Sequence, residues 1–388
     1  MLQGVTRALT AALMLAIPAT LSAQVAEPVY GYDRNDARPA ELSSLSPDPA
    51  GAPYAENWDL WFWTDDGRFV MLQFVTSSFI SSVERQGSAR IVVIDPGALN
   101  HSEGAIDGVH RGDRGFNPDR NDWGWNEEEP LDVFWLDCHV RGDGETFEVA
   151  MRGRDHRVTF EATLTAEAPL WQPGDGSAIF GNTQSYTYDM QVLPRFRFDG
   201  RLNLREGRDE PDNWSDLAGV GVMQHSRLNA LPYQIGQSWT RFRALRDDGL
   251  SINFEAIRPA ETFYPDPIGW LVVTLHGEVI FQTTQIQIIP RNVQTWPIRR
   301  RSYDVPTSYD IVATSGTDQV VVRVRNGQIV SAEDPFRQLD RTLRLLIADM
   351  MSPADFDLST DYEADITIGG ITAWLAGSGW SSSSFTKG

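Results

Sequence analysis

The sequence predicts an all-β protein of two domains, and two observations carry that expectation. Twice, an Asp-Asp-Gly turn joins two runs rich in aromatic and β-branched residues: Asp65-Asp66-Gly67 between 58–63 and 68–77, and Asp247-Asp248-Gly249 between 239–245 and 250–257. Asp-Gly flanked by such runs is the best short hairpin signal, because it tolerates the positive φ of a tight turn. Further strand-like runs recur at 89–95, 131–139, 146–151, 157–164, 186–198, 269–289, 320–325 and 366–376, separated by Gly, Asp and Pro. Strands this numerous, joined by such turns, point to sandwiches or barrels.

Residues 1–23 have the order of a secretory signal. Arg7 is the only charge, 8–17 is an apolar run, Pro18 breaks any helix, and Leu21-Ser22-Ala23 precedes Gln24. The apolar run is shorter than the roughly 20 residues a bilayer-spanning helix needs, so a cleaved signal is expected rather than a membrane anchor. That places the mature chain in a periplasm or outside the cell. No later apolar run is long enough to span, which leaves at most transient membrane contact. Residues 24–55 are rich in Pro, Ala and Asp and read as an extended leader with little structure of its own. The remaining chain exceeds the roughly 100–200 residues of one ordinary domain. The polar stretch 205–216 marks the expected boundary, giving domains at 56–205 and 206–388.

Composition excludes some functions. With 33 basic and 53 acidic residues the net charge is -20, which repels phosphate backbones, so no nucleic-acid partner is expected. Arg299-Arg300-Arg301 is a local exception and reads as a solvated strand end. Cys138 is the single cysteine, which rules out an internal disulfide. It lies in a strand-like run and reads as a small buried residue. One helix is expected near 335–351. Asp334 is a suitable N-cap, Pro335 suits the first turn, Phe336, Leu339, Leu343, Leu346, Ile347 and Met350 line one face, and Pro353 ends it. The Gly- and Asp-rich stretch 101–130 reads as a solvated loop; its acids lack the spacing of a calcium loop.

Familiar catalytic signatures are absent. Gly219-Val220-Gly221 lacks the third glycine of a dinucleotide fingerprint, and Gly377-Ser378-Gly379 is not a nucleophile elbow. The six histidines are scattered, with no pair at i, i+4, so neither a cofactor nor a metal is expected. The thirteen tryptophans stand out. Most suit core packing, and some suit an aromatic-lined pocket, with Trp61 and Trp63 on one strand face and Trp58 on the other. The richest polar constellation is Gln224, His225 and Arg227 followed by Trp239 and Arg241. These donors either orient a ligand hydroxyl or carbonyl inside a cavity or cap a barrel end.

The stretches 184–189, 200–202, 220–227 and 239–249, with the opening hairpin 58–67, resemble the two-domain lipocalin-like superfamily. That group includes AttH-type proteins, carotenoid hydratases, tocopherol cyclases and fungal survival-factor proteins. Residues 224–243 and the ending 377–385 look closest to the survival-factor branch. The resemblance implies two antiparallel lipocalin-like barrels packed together around an apolar cavity, and a lipid, isoprenoid or carotenoid ligand. In the hydratase-like branch an Asp beside a His commonly occupies the position matched by Gln224. A neutral amide cannot protonate an alkene, so Gln224 argues against that chemistry here.

Three functions follow as expectations. The first is an exported binding or carrier protein for a hydrophobic molecule, with Trp61, Trp63, Tyr186, Tyr188, Gln224, His225, Arg227, Trp239 and Arg241 as the ligand-contacting set. The second is a hydratase or cyclase acting on an isoprenoid or polyene, with Asp189, His225 or Tyr188 as proton donor. The third is a carbohydrate-binding β protein that stacks sugars on exposed tryptophans.

Overall fold

The computed structural model describes residues 31–32, 37–42, 54–77, 86–98, 100–102, 105–106, 108–116, 122–126, 128–154, 156–180, 186–207, 209–260, 266–298, 301–335 and 352–386. They form two curled antiparallel sheets, each a half-barrel, as the all-β, two-barrel expectation required. Both Asp-Asp-Gly hairpins form as expected. Ala55–Thr64 pairs with Phe69–Ser77, and Gly236–Leu245 pairs with Leu250–Pro259.

The first sheet runs Val109–Phe116, Gln86–Ile94, Phe69–Ser77, Ala55–Thr64, Trp214–Leu228, Tyr186–Leu204, Val158–Ala166, Thr146–Arg152, Cys138–Gly142, Leu131–Trp135 and Trp123–Trp125. The second runs Glu278–Thr283, Ile268–Leu275, Leu250–Pro259, Gly236–Leu245, Ile371–Phe385, Ala354–Ile368, Asp318–Glu333, Arg301–Ser315 and Ile286–Ile298. The chain passes from one sheet to the other through a single helical turn, Pro232–Ile235.

Several expectations change. The boundary at 205/206 falls inside a hairpin of the first sheet, because Trp214–Leu228 pairs with both Tyr186–Leu204 and Ala55–Thr64. The polar stretch that suggested a linker is the turn of that hairpin, and the sheets divide at 229–235 instead. The leader is not wholly without structure: Gly31–Tyr32 pairs with Ser177–Phe180, and Ala37–Pro39 pairs with Trp171–Pro173. The stretch read as a solvated loop holds the edge strand Val109–Phe116. Its many glycines and charges hid a strand that has one paired neighbour among the described residues. The run 269–289 is three strands, broken at His276-Gly277, both with positive φ. The run 366–376 is broken at Gly369-Gly370 in the same way. The expected signal segment 1–23 and residues 336–351 of the expected helix lie outside the described residues.

Strand alternation sorts side chains into separate cores. Trp58, Leu60, Phe62, Phe160, Phe196 and Phe198 fill the first barrel. Phe242, Phe254, Tyr309, Val322 and Tyr362 fill the second. The other face of the same strands enters a third core shared by the two barrels, which includes Trp61, Trp171, Val222, Trp239, Trp270 and Trp380. Phe69 and Trp380 stack across this junction, centroids 3.8 Å apart. Strands such as Ala55–Thr64 are therefore buried on both faces. Cys138 is a buried thiol, as expected, and burial pushes it up to about 11.

Gly221 is required by close approach. A Cβ there would meet the Phe196 ring at 2.3 Å and the Trp61 carbonyl at 2.4 Å. The glycine pair that failed as a nucleotide signature thus serves packing. Gly221→Ala is expected to lower stability by about 1–3 kcal/mol, the range for an overpacked core, read from the urea midpoint.

An ionic cluster also bridges the barrels. Arg90 lies 2.6 Å from Glu333, which also takes Arg111, and Asp355 and Asp357 face Arg90 from the next strand. Burial pushes the Asp357 carboxyl up to about 7, against the pull of Arg90 and with the help of Asp355 and Glu333. A carboxyl that holds its proton more tightly when folded makes the folded state bind more protons between about pH 4 and 7, so stability falls as pH rises through that window. Thermal melts should show the midpoint falling from pH 6 to pH 8. Asp357→Asn should remove about 2–4 °C of that fall.

Candidate functional site

A polar cluster sits at the junction, supplied by both barrels; Tyr188, Gln224, Glu255 and Arg243 are buried, and Arg241 is partly exposed. Its centre is Glu255, 1% exposed, on Leu250–Pro259 of the second sheet. The first sheet sends two donors to it. Tyr188 donates its hydroxyl to Glu255 Oε1 at 2.6 Å, and Gln224 Nε2 donates to Oε2 at 2.9 Å. From the neighbouring strand of the second sheet, Arg241 Nε donates to Oε2 at 2.6 Å. Arg243 then donates to Gln224 Oε1 and to the carbonyls of Phe242 and Phe254. Its guanidinium lies 5.1 Å from the Trp61 ring and 5.3 Å from the Trp270 ring.

The electrostatics follow from these contacts. Burial pushes the Glu255 carboxyl up, but Arg241, the Tyr188 hydroxyl, Arg243 and Gln224 outweigh it and hold the group below its ordinary value. Glu255 is therefore a carboxylate that accepts from donors it already has, and a poor source of protons. Burial, then the Glu255 charge, push the Tyr188 hydroxyl well up, so it stays a donor. Burial lowers the Arg243 guanidinium to about 10.

Sequence reasoning placed Tyr188, Gln224, Trp239 and Arg241 near one another, and the structure brings Tyr188, Gln224 and Arg241 onto one carboxylate. Tyr188 and Gln224 lie on neighbouring strands of the first sheet and Arg241 on the second, so the three meet across the junction. Trp61 and Trp239 lie in the same shared core, and Trp63 is half-buried at its margin, edge-on to Phe69 at 5.2 Å. The other candidates go elsewhere, because adjacent strand residues point to opposite faces. His225 turns into the first barrel, stacks on Trp58 at 4.8 Å, and sits between Glu56 Oε1 at 2.5 Å and Gln191 Oε1 at 2.9 Å. Asp189 lies on that same face, bound by Arg227 at 2.6 Å and by Ser177 Oγ at 2.7 Å. Tyr186, half-buried, accepts from Gln234 Nε2 at 3.1 Å. Asp189, His225 and Tyr188 thus do not form one catalytic group.

Sequence reasoning missed Glu255, Arg243, Glu56 and Asp59. Asp59 is the strand partner of Gln224, so both side chains point to the junction face. It is 4% exposed and accepts from Asn57 at 2.6 Å and Gln73 at 2.8 Å. Burial pushes its carboxyl up, against the pull of Arg241. The alternation Ser251, Asn253, Glu255 against Ile252, Phe254, Ala256 was present in the sequence, but alternation alone reads the polar row as facing water.

Removing Glu255 leaves Arg241 without its carboxylate and Tyr188 and Gln224 without their acceptor. Glu255→Ala should cost about 3–5 kcal/mol, the usual result of breaking a buried pair. Tyr188→Phe, which removes one donor, should cost about 1 kcal/mol. Urea denaturation of the two variants tests that order.

No family model and no curated protein sequence matches the chain. Solved structures do. A protein assigned as AttH from Nitrosomonas europaea superposes with a TM-score of 0.56 at 15% identity, covering 89% of this chain and 96% of that one. Kievitone hydratase from Nectria haematococca gives 0.55 at 12% identity, over 93% and 97%. CghA with Sch210972 gives 0.53 at 12% identity, over 93% and 96%. Nearly whole chains align in each case, so the chain has the two-barrel lipocalin-like fold of AttH-type and hydratase-type proteins.

Proposed function

We propose that this chain binds an apolar small molecule, a lipid, isoprenoid or carotenoid, between its two barrels and carries it without chemical change. The observation that supports this reading is the junction itself. A desolvated set of donors, Tyr188, Gln224, Arg241 and Arg243, is fixed by one carboxylate and surrounded by Trp61, Trp171, Trp239 and Trp270. Apolar walls with a few fixed polar groups suit recognition of an apolar body bearing one oxygen function. The group at the centre is held ionised, which suits holding donors in place more than delivering a proton. The charge, apolar run and small residues of 1–23 support export. An apolar cargo crossing an aqueous compartment needs such a carrier.

A second reading has its own observation. Asp59 offers a buried carboxyl beside Gln224, pushed toward its protonated form. Hydration or cyclisation of a polyene needs a buried proton donor of that kind, and the tryptophans of the shared core suit a carbocation. Two of the structural neighbours are a hydratase and CghA.

Native mass spectrometry of protein purified from its own host should show a bound apolar molecule. Tyr188→Phe and Gln224→Leu should each weaken its rebinding about 5–10-fold, one hydrogen bond apiece. Protein that emerges empty and takes up no polyene or lipid would sink the binding reading. Turnover of a bound polyene that disappears in Asp59→Asn, with binding kept, would establish the enzyme reading in its place.

A further inference from the structure

Two buried donors at the junction have no acceptor among the described residues. Glu255 takes Arg241 as its ion pair at 2.6 Å. Among the described residues Arg243 has no carboxylate partner: it spends Nη1 on two backbone carbonyls and Nη2 on the neutral Gln224 amide. Its Nε, fully buried, has no acceptor, and neither has the indole Nε1 of Trp270, whose ring lies against the guanidinium. The other buried acid, Asp59, accepts from Asn57 and Gln73 rather than from Arg243. Tyr32 and Tyr188 are pushed up as well, first by burial and then by Glu255, so neither supplies a phenolate. Asn253 Oδ1, on the strand paired with Arg243, is an unmatched acceptor, but a neutral amide oxygen does not offset a charge.

Arg243 therefore meets only neutral acceptors, and its Nε and the Trp270 indole meet none. A buried cation without a counter-charge is costly, and a buried donor without an acceptor adds to that cost. Stacking on Trp61 and Trp270 recovers part of it. We infer that the ligand of this site carries an acidic oxygen, a carboxylate or an ionised enol or phenol, which docks on Arg243 Nε beside the Trp61 and Trp270 rings. This rests on the reading that the junction is a ligand site, and adds the class of ligand. The anion pairs directly with Arg243, accepts from Arg243 Nε and the Trp270 indole, and leaves the apolar body in the aromatic core.

Two matched pairs of fluorescent probes test it at pH 8.5: cis-parinaric acid against its methyl ester, and 1-anilinonaphthalene-8-sulfonate against N-phenyl-1-naphthylamine. The anionic member of each pair should bind at least tenfold more tightly. Arg243→Met should erase that preference, so that the two members of each pair bind alike. Glu255→Gln removes the charge that occupies Arg241 and should widen the preference; it also decides the matter if Arg243→Met does not fold. Equal binding of charged and neutral members by the unmodified protein overturns the acidic-ligand inference and leaves the site reading standing. Failure of all four probes to bind overturns the site reading and the inference with it.

Discussion

Desolvation of one carboxylate governs the junction between the barrels. Glu255 lies where two sheets press face to face, and an isolated ion there would be far too costly to persist. It is kept by donors drawn from three strands of two sheets: Tyr188, Gln224 and Arg241. Those donors are held in place in return. Gln224 turns its amide so that the NH2 faces Glu255 and the oxygen faces Arg243, and this fixes Arg243 between backbone carbonyls and two indole rings. The barrels are thereby locked by a network that stands or falls as a unit, with the apolar stacking of Phe69 on Trp380 beside it.

A second polar arrangement, His225 with Glu56 and Gln191, lies one residue away along the chain and on the opposite face of the strand. The two-residue period of a strand separates it from the junction. Trp58 covers the imidazole, and Tyr54 donates to Glu56 behind it. This group belongs to the interior of the first barrel. Adjacent residues with similar chemistry thus serve different cores, and only the junction set draws on both domains.

The aligned structures share architecture with this chain at identities of 12–15%, which speaks to fold and not to chemistry. The chemistry has to be read from this chain's own residues. The amide of Gln224 sits opposite a buried Asp59, a second guanidinium has no carboxylate, and the central Glu255 is saturated with donors. Binding and proton-transfer readings diverge on which of these groups a ligand touches first.

The sequence by itself determined the fold class and much of the local structure. Asp-Gly turns and runs of aromatic and β-branched residues are local signals, and they marked both central hairpins and most strands. It also brought forward Tyr188, Gln224 and Arg241, through composition and a resemblance. What it could not decide was which strands become neighbours and whether a polar row faces water or a second sheet. Glu255, Arg243 and Asp59 lie on rows that would be solvent-facing in a lone barrel; burial on both faces exists only because two barrels pack together. For the same reason 205–216 read as a linker when it is a hairpin turn, and Gln224 and His225 read as one site when their strand divides them. Local chain chemistry sets the period of a strand, but the partner across the sheet sets what each face means.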